Sequence, residues 1–188
     1  MTCTARTHPK FYDSRTCGII SVLGILCHLI GITVPYWYYE RHVTPYGLET
    51  YYYGLWKGCS VIPGLQDKCF NHDAAQKPYI HIAQVLSVAG LLMYFLGVLT
   101  IIVKIYLLKE RTCCLLISAG FLSIAGFLCL SGLMIWIISM PGFFISEYLG
   151  WSFLLEVVSV VLAIAASAVI TQGNISQCKT NIRASCIT

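Results

Sequence analysis

Charge is what this sequence has least of. Asp, Glu, Lys and Arg make up only 11% of its 188 residues, where a water-soluble domain carries about 25%. So few charges do not coat a water-facing surface, and lipid must cover part of the molecule. The net charge is a modest +4, and no basic patch is interleaved with aromatics, so nucleic acid is not an expected partner. Chemistry-bearing patterns are missing too. There is no Ser-His-Asp set, no glycine-rich phosphate loop and no metal motif, and His42, His72 and His81 are scattered through a tyrosine-rich stretch. No catalytic residue, metal or cofactor is expected, and the chain reads as a non-enzyme.

What is present is apolar length. Hydrophobic residues reach 57% and mean hydropathy is +0.75. Four segments, 17–36, 80–107, 115–140 and 150–171, each have the roughly 20 residues a helix needs to cross about 30 Å of hydrocarbon. The second is longer than needed and is expected to tilt, or to emerge with Lys104 snorkelling to the head groups. The first starts after a polar stretch and has no small-x-small site before Pro35, so it reads as a retained helix rather than a signal peptide. The connections are a tail at 1–16, a long loop at 37–79, short loops at 108–114 and 141–149, and a tail at 172–188.

Orientation follows from the basic residues. Eight of the 12, namely Arg6, Lys10, Arg15, Lys104, Lys109, Arg111, Lys179 and Arg183, fall on the side that carries both termini. The other four, Arg41, Lys57, Lys68 and Lys77, share the long loop with Glu40, Glu49, Asp67 and Asp73. The termini are therefore expected in the cytoplasm and the long loop outside, at the plasma membrane. A large first loop and a short second one argue against a tetraspanin arrangement.

Lipid gives helices no hydrophobic reason to associate, so small residues mark their contact faces. Cys17, Ser21, Gly24, His28 and Gly31 alternate steps of four and three. So do Ala83, Ser87, Gly90, Tyr94 and Gly97 in the second segment, and Ser152, Glu156, Ser159, Ala163 and Ala166 in the fourth. Ala125, Cys129, Gly132 and Trp136 fit in the third. This spacing predicts a compact left-handed four-helix bundle. Two ionisable residues, His28 and Glu156, lie on these seams at similar depth, roughly 9–12 Å below the outer interface. An ionisable group inside a membrane normally faces the bundle interior, and the first and fourth helices are neighbours in an up-down bundle. His28 and Glu156 are therefore the candidate intramembrane polar pair.

The long loop is rich in Tyr, Val and Thr and is broken by Pro45-Tyr46-Gly47 and Pro63-Gly64. That is a β pattern, with strands expected near residues 37–43, 49–56, 57–61 and 67–70. Of the ten cysteines, only Cys59 and Cys69 fall on the expected oxidising side, and they are expected to form a disulfide. Closing that loop contributes roughly 2.5–3 kcal/mol on the chain-entropy estimate. A metal site of Cys59, Cys69 and His72 is the weaker alternative, because the spacing does not suit a zinc knuckle. Cys17, Cys27 and Cys129 read as small packing residues. Cys113, Cys114 and Cys178 lie next to the membrane on the cytoplasmic side and are candidates for palmitoylation. Asn174-Ile175-Ser176 matches a glycosylation site, but it is expected on the wrong side to be used.

Trp37, Gly54-Leu55-Trp56, Cys59 and Cys69, with four spans, a large first loop and inside termini, resemble the superfamily of claudins, peripheral myelin protein and epithelial membrane proteins. The resemblance covers essentially the whole chain. It implies a mainly α membrane protein, a left-handed four-helix bundle topped by a small extracellular antiparallel sheet, with Trp37 and Gly54-Leu55-Trp56 anchoring that sheet. It also implies a role in cell–cell junctions, adhesion and paracellular barriers through self-association in cis and in trans. The alternative is an auxiliary subunit of a channel or receptor, or a myelin-type membrane organiser. The chain departs from typical claudins at Gln84, where an Arg is usual, at Phe70 after the second loop cysteine, and at its Cys186-Ile187-Thr188 end. Glu156-Val157 stands where the myelin-protein branch usually has a Trp. These departures mark a divergent member.

Overall fold

The computed structural model describes residues 14–45, 47–62, 64, 67–72, 78–107, 113–139 and 149–185. Among them are four helices and one four-stranded sheet. Helix α1 spans Ser14–Thr33, α2 Pro78–Tyr106, α3 Cys113–Ser139 and α4 Trp151–Ser185. Each contains a stretch long and apolar enough to cross a membrane. The 20 residues of α1 already reach about 30 Å. Each helix packs on its sequence neighbour, and α1 closes against α4.

Every seam residue named above is buried, from Cys17 to Gly31, Ala83 to Gly97, Ala125 to Trp136 and Ser152 to Ala166. The reason is geometric: steps of three and four keep a residue on one face of a helix, and small side chains let that face approach its neighbour. The opposite faces present Leu, Ile, Val and Phe outward, with Phe127 68% and Leu92 60% exposed. Among residues that would otherwise be core, that exposure is the signature of a lipid-facing surface. Lys104 departs from the snorkelling expectation. It is only 8% exposed, because it continues the seam of Tyr94, Gly97 and Ile101 at the same spacing and so turns inward.

Between α1 and α2 the chain forms an antiparallel meander in the order β1-β2-β3-β4. Strand β1 is Tyr38–Thr44, β2 Gly47–Tyr53, β3 Lys57–Val61 and β4 Lys68–Asn71. Cys59 and Cys69 pair directly across β3 and β4 and form a disulfide. The free edge of β1 is partly covered where Tyr38 bridges Leu149 and Gly150 N–H donates to Trp37 O at 2.9 Å. A side chain at Gly150 would overlap the Tyr36 carbonyl, so only glycine lets α4 start against the sheet.

Most boundaries shift by one to three residues from expectation, and three of the differences have a visible cause or consequence. β2 stops at Tyr53 rather than running on to Trp56, because Gly54 N–H turns back to Lys57 O at 3.0 Å. α1 stops at Thr33 rather than Tyr36, since Pro35 disfavours helical geometry in the residue before it. α4 continues through Ser185, well past its apolar stretch, into what reads from the sequence as a tail.

Candidate functional site

Two sets of residues hold chemistry worth describing: the junction between sheet and bundle, and a polar cluster inside the bundle.

The junction is built on Trp37 and the Gly54-Leu55-Trp56 turn. Trp37 is fully buried and packs edge-to-face on Trp136 of α3 at 4.9 Å between centroids and on Phe153 of α4 at 6.1 Å. Its indole N–H donates to Gly31 O of α1 at 2.6 Å, and its backbone N–H to Tyr53 O at 3.0 Å. One residue thus ties three helices and β2 together.

The turn itself is irregular backbone pressed onto helix ends, where bare carbonyls are costly. All three of its carbonyls accept hydrogen bonds. His72 Nε2–H donates to Gly54 O at 3.0 Å, Gln84 Nε2–H of α2 to Leu55 O at 2.9 Å, and His72 backbone N–H to Trp56 O at 3.1 Å. Leu55 is 1% exposed. Gly54 passes so close to Pro35 that a Cβ would lie 2.5 Å from Pro35 Cα, which explains the glycine. Around this end Tyr36, Trp56, Tyr79 and Trp151 remain exposed, and Tyr and Trp favour the membrane–water interface.

His72, Gln84 and Trp136 have roles here that sequence reasoning did not find. His72 reads from the sequence as a surface residue, and no periodicity links it to Gly54. For Gln84 a signal existed: it is a polar residue in the first turns of an apolar helix, a place that asks for a partner.

The second set is the polar cluster, to which each helix contributes. His28 of α1 and Glu156 of α4 are both fully buried. Nδ1 of His28 lies 2.9 Å and 2.8 Å from the two carboxylate oxygens of Glu156. Its Nε2 lies 3.1 Å from the backbone carbonyl of Ser87 on α2. A carbonyl only accepts, so Nε2 carries a hydrogen and donates it. The Nδ1–carboxylate contact then holds one shared proton. The pair is either imidazolium with carboxylate or imidazole with carboxylic acid, and both forms are neutral overall. Neutrality and full pairing are what burial in a low-dielectric interior demands.

Cys129 of α3 completes the ring of contributors. Its Sγ stands 3.8 Å from Nδ1 and 3.7 Å from Nε2. His28, Cys129 and Glu156 together form an N, S, O donor set within 4.8 Å, the kind that holds a metal ion. Cys129 Sγ thus lies in contact with the imidazole, and the pair of His28 and Glu156 is closed on the α3 side by a thiol.

In the sheet, the tyrosines stack on one another across and along the strands, as in Tyr39–Tyr52 and Tyr51–Tyr53. Glu49 accepts a hydrogen bond from Ser60 Oγ at 2.5 Å. That bond, with a second from the Tyr51 hydroxyl, holds the Glu49 carboxyl below the usual carboxylate range. The same contact pushes the Tyr51 phenol up. Apolar side chains left outside include Phe70 of β4, 45% exposed, and the pair Val43, 89% exposed, and Leu48, 46% exposed, which are cross-strand partners at the β1–β2 hairpin end.

Cys17 and Cys129 are buried and Cys27 half-buried, while Cys114 is a half-buried free thiol in the first turn of α3. The side chains of Cys113 and Cys178 lie outside the described residues, as do Phe143, Phe144 and Tyr148 of the short second loop.

Comparison with family models and with curated proteins finds no match to this chain.

Proposed function

We propose that this chain is a claudin-like, non-enzymatic, multi-pass protein of the plasma membrane that acts in cell–cell contacts. In this reading the bundle is left-handed, the sheet lies outside the cell, and both termini are cytoplasmic. The excess of basic residues at the sheet-distal end supports that orientation, and so does the disulfide at the other.

The observation that carries the reading is the seating of the sheet. Trp37 and the fully capped Gly54-Leu55-Trp56 turn bolt a disulfide-closed sheet rigidly onto a membrane bundle. A rigid platform of this kind serves recognition, and it lifts an apolar pair, Val43 and Leu48, away from the helices. Exposed apolar residues with no place in the core mark contact surfaces. Lateral and trans self-assembly through the outer loops is the corresponding partner assignment, with the lipid bilayer as the common medium.

The test is expression in cells that do not adhere to one another. Enrichment at contacts and continuous strands on freeze-fracture are expected, and Val43→Ser with Leu48→Ser should disperse them while surface delivery is retained. Uniform surface distribution with a co-purifying channel or receptor at fixed stoichiometry would overturn the junctional role in favour of the regulatory one.

A further inference from the structure

At the end of the bundle away from the sheet, an open groove of about 600 Å³ is lined by α1 and α2. Ile19, Val22 and Leu23 of α1 face Val98, Ile102 and Ile105 of α2 across it. At Gly18 the two helices come close, since a Cβ there would already meet Ile101 Cγ2 at 3.4 Å and Ile105 Cδ1 at 3.5 Å, and the groove opens beside that contact. Apolar space of this kind is not a stable home for water.

The rim is different. Arg15 and Tyr106 line its mouth, and they are the terminal residues of the apolar stretches Arg15–Thr33 and Tyr79–Tyr106. In a bilayer both therefore stand at head-group level while the groove runs down among the acyl chains. A guanidinium has several N–H donors in a planar fork and bonds a phosphate alongside another partner, and the Tyr106 hydroxyl is a further donor at the same level.

We propose that this groove binds one anionic glycerophospholipid, with an acyl chain between α1 and α2 and its phosphate at Arg15 and Tyr106. Charge complementarity selects the head group: a cationic rim over an apolar slot, at the end of the molecule richest in Lys and Arg, fits an anionic lipid better than a zwitterionic one or a sterol. The inference rests on the reading of this chain as membrane-spanning with that end in the cytoplasmic leaflet.

The experiment uses the full chain, purified in detergent and examined by native mass spectrometry. Phosphatidylserine and phosphatidylcholine with identical acyl chains are added in parallel. The wild-type chain is expected to retain phosphatidylserine about five-fold better, the selectivity one basic contact at a membrane surface supplies. Arg15→Gln should abolish the preference but keep residual binding of both lipids. Gly18→Leu, which crowds the groove wall against Ile105, should weaken both. Arg41→Gln, the same charge loss in the sheet, should change neither. Elution as a disulfide-bonded species identical to wild type checks that each variant is folded.

Equal retention of the two lipids by the wild-type chain would overturn the proposal. So would a phosphatidylserine preference that survives Arg15→Gln, or displacement of both lipids by cholesterol with no head-group dependence. Detergent removes leaflet identity, so a wrong orientation leaves this readout intact and is detected separately by terminal tags in cells.

Discussion

The two ends of the helix bundle are packed from different materials. Next to the sheet the core is Trp37, Trp136, Phe153, Tyr38 and Leu55, large rings locked in edge-to-face contact. At the other end it is Leu122, Ile101, Ala119, Ala163, Ala166 and Ile170, aliphatic and small, with Tyr94 the one ring in that cluster. The difference follows from what each end must hold. Near the sheet, irregular backbone meets the helices, and its carbonyls need donors placed by direction, from His72, Gln84 and Trp37. At the far end only helix backbone is present, already bonded to itself, so close approach of small residues suffices. Small-residue packing brings seams together but leaves flanks unfilled, and the groove between α1 and α2 lies there. The polar cluster of His28, Glu156 and Cys129 sits between the two regimes and draws on the helices of both.

The sharpest way to break this comparison is to remove a ring from one end and an aliphatic group from the other. Trp37→Ala is expected to cost about 3–5 kcal/mol and to loosen the sheet from the bundle. Leu122→Ala, fully buried at the far end, is expected to cost about 2–4 kcal/mol and to leave the sheet untouched. Thermal unfolding in detergent reads the first quantity, and the rate at which reductant reaches Cys59–Cys69 reads the second. Equal disulfide protection in both variants would mean that the ends are not independent.

Between the ends, His28→Ala strips Glu156 of its buried imidazole partner and is expected to cost about 3 kcal/mol. Glu156→Gln keeps a hydrogen-bonding group and is expected to cost about 1 kcal/mol. A double-mutant cycle on unfolding should give a coupling of roughly 1–2 kcal/mol. Strict additivity would refute a direct pair.

The smallest effect belongs to the solvent face of the sheet. Glu49 is held below its usual range by Ser60 and Tyr51, so its contribution is complete above the ordinary carboxylate range. It is lost as pH falls through the lowered value. Amide exchange in β2 and β3 should therefore quicken on acidification below the usual carboxylate range, and Ser60→Ala should move that onset to higher pH. An onset unaffected by Ser60→Ala would show that another group governs it.

Much of the architecture was legible because membrane helices obey few rules. Seam residues were readable from spacing alone, since a helix places steps of three and four on one face whatever surrounds it. β3 lies where its composition placed it, at Lys57–Val61. The end of β2 was not readable. Leu55 and Trp56 look like more strand, and only the near-contact of Gly54 with Pro35 reveals a turn. The inward setting of Lys104 was missed for a related reason: a basic residue at a span's edge suggests snorkelling, but its register on the helix outweighed its chemistry. The helical state of 172–185 was missed because hydropathy reports where lipid ends, not where a helix does.

Sequence alone determined the four apolar spans, their contact faces and the two cysteines in the loop, because length, periodicity and composition are local quantities. Tertiary structure decided what meets across the chain. It brought His28 to Glu156 and Ser87, turned His72 and Gln84 onto the carbonyls of Gly54 and Leu55, and left a groove lined by α1 and α2 at one end. Those outcomes depend on the distance between groups far apart in sequence, and local pattern carries no measure of that distance.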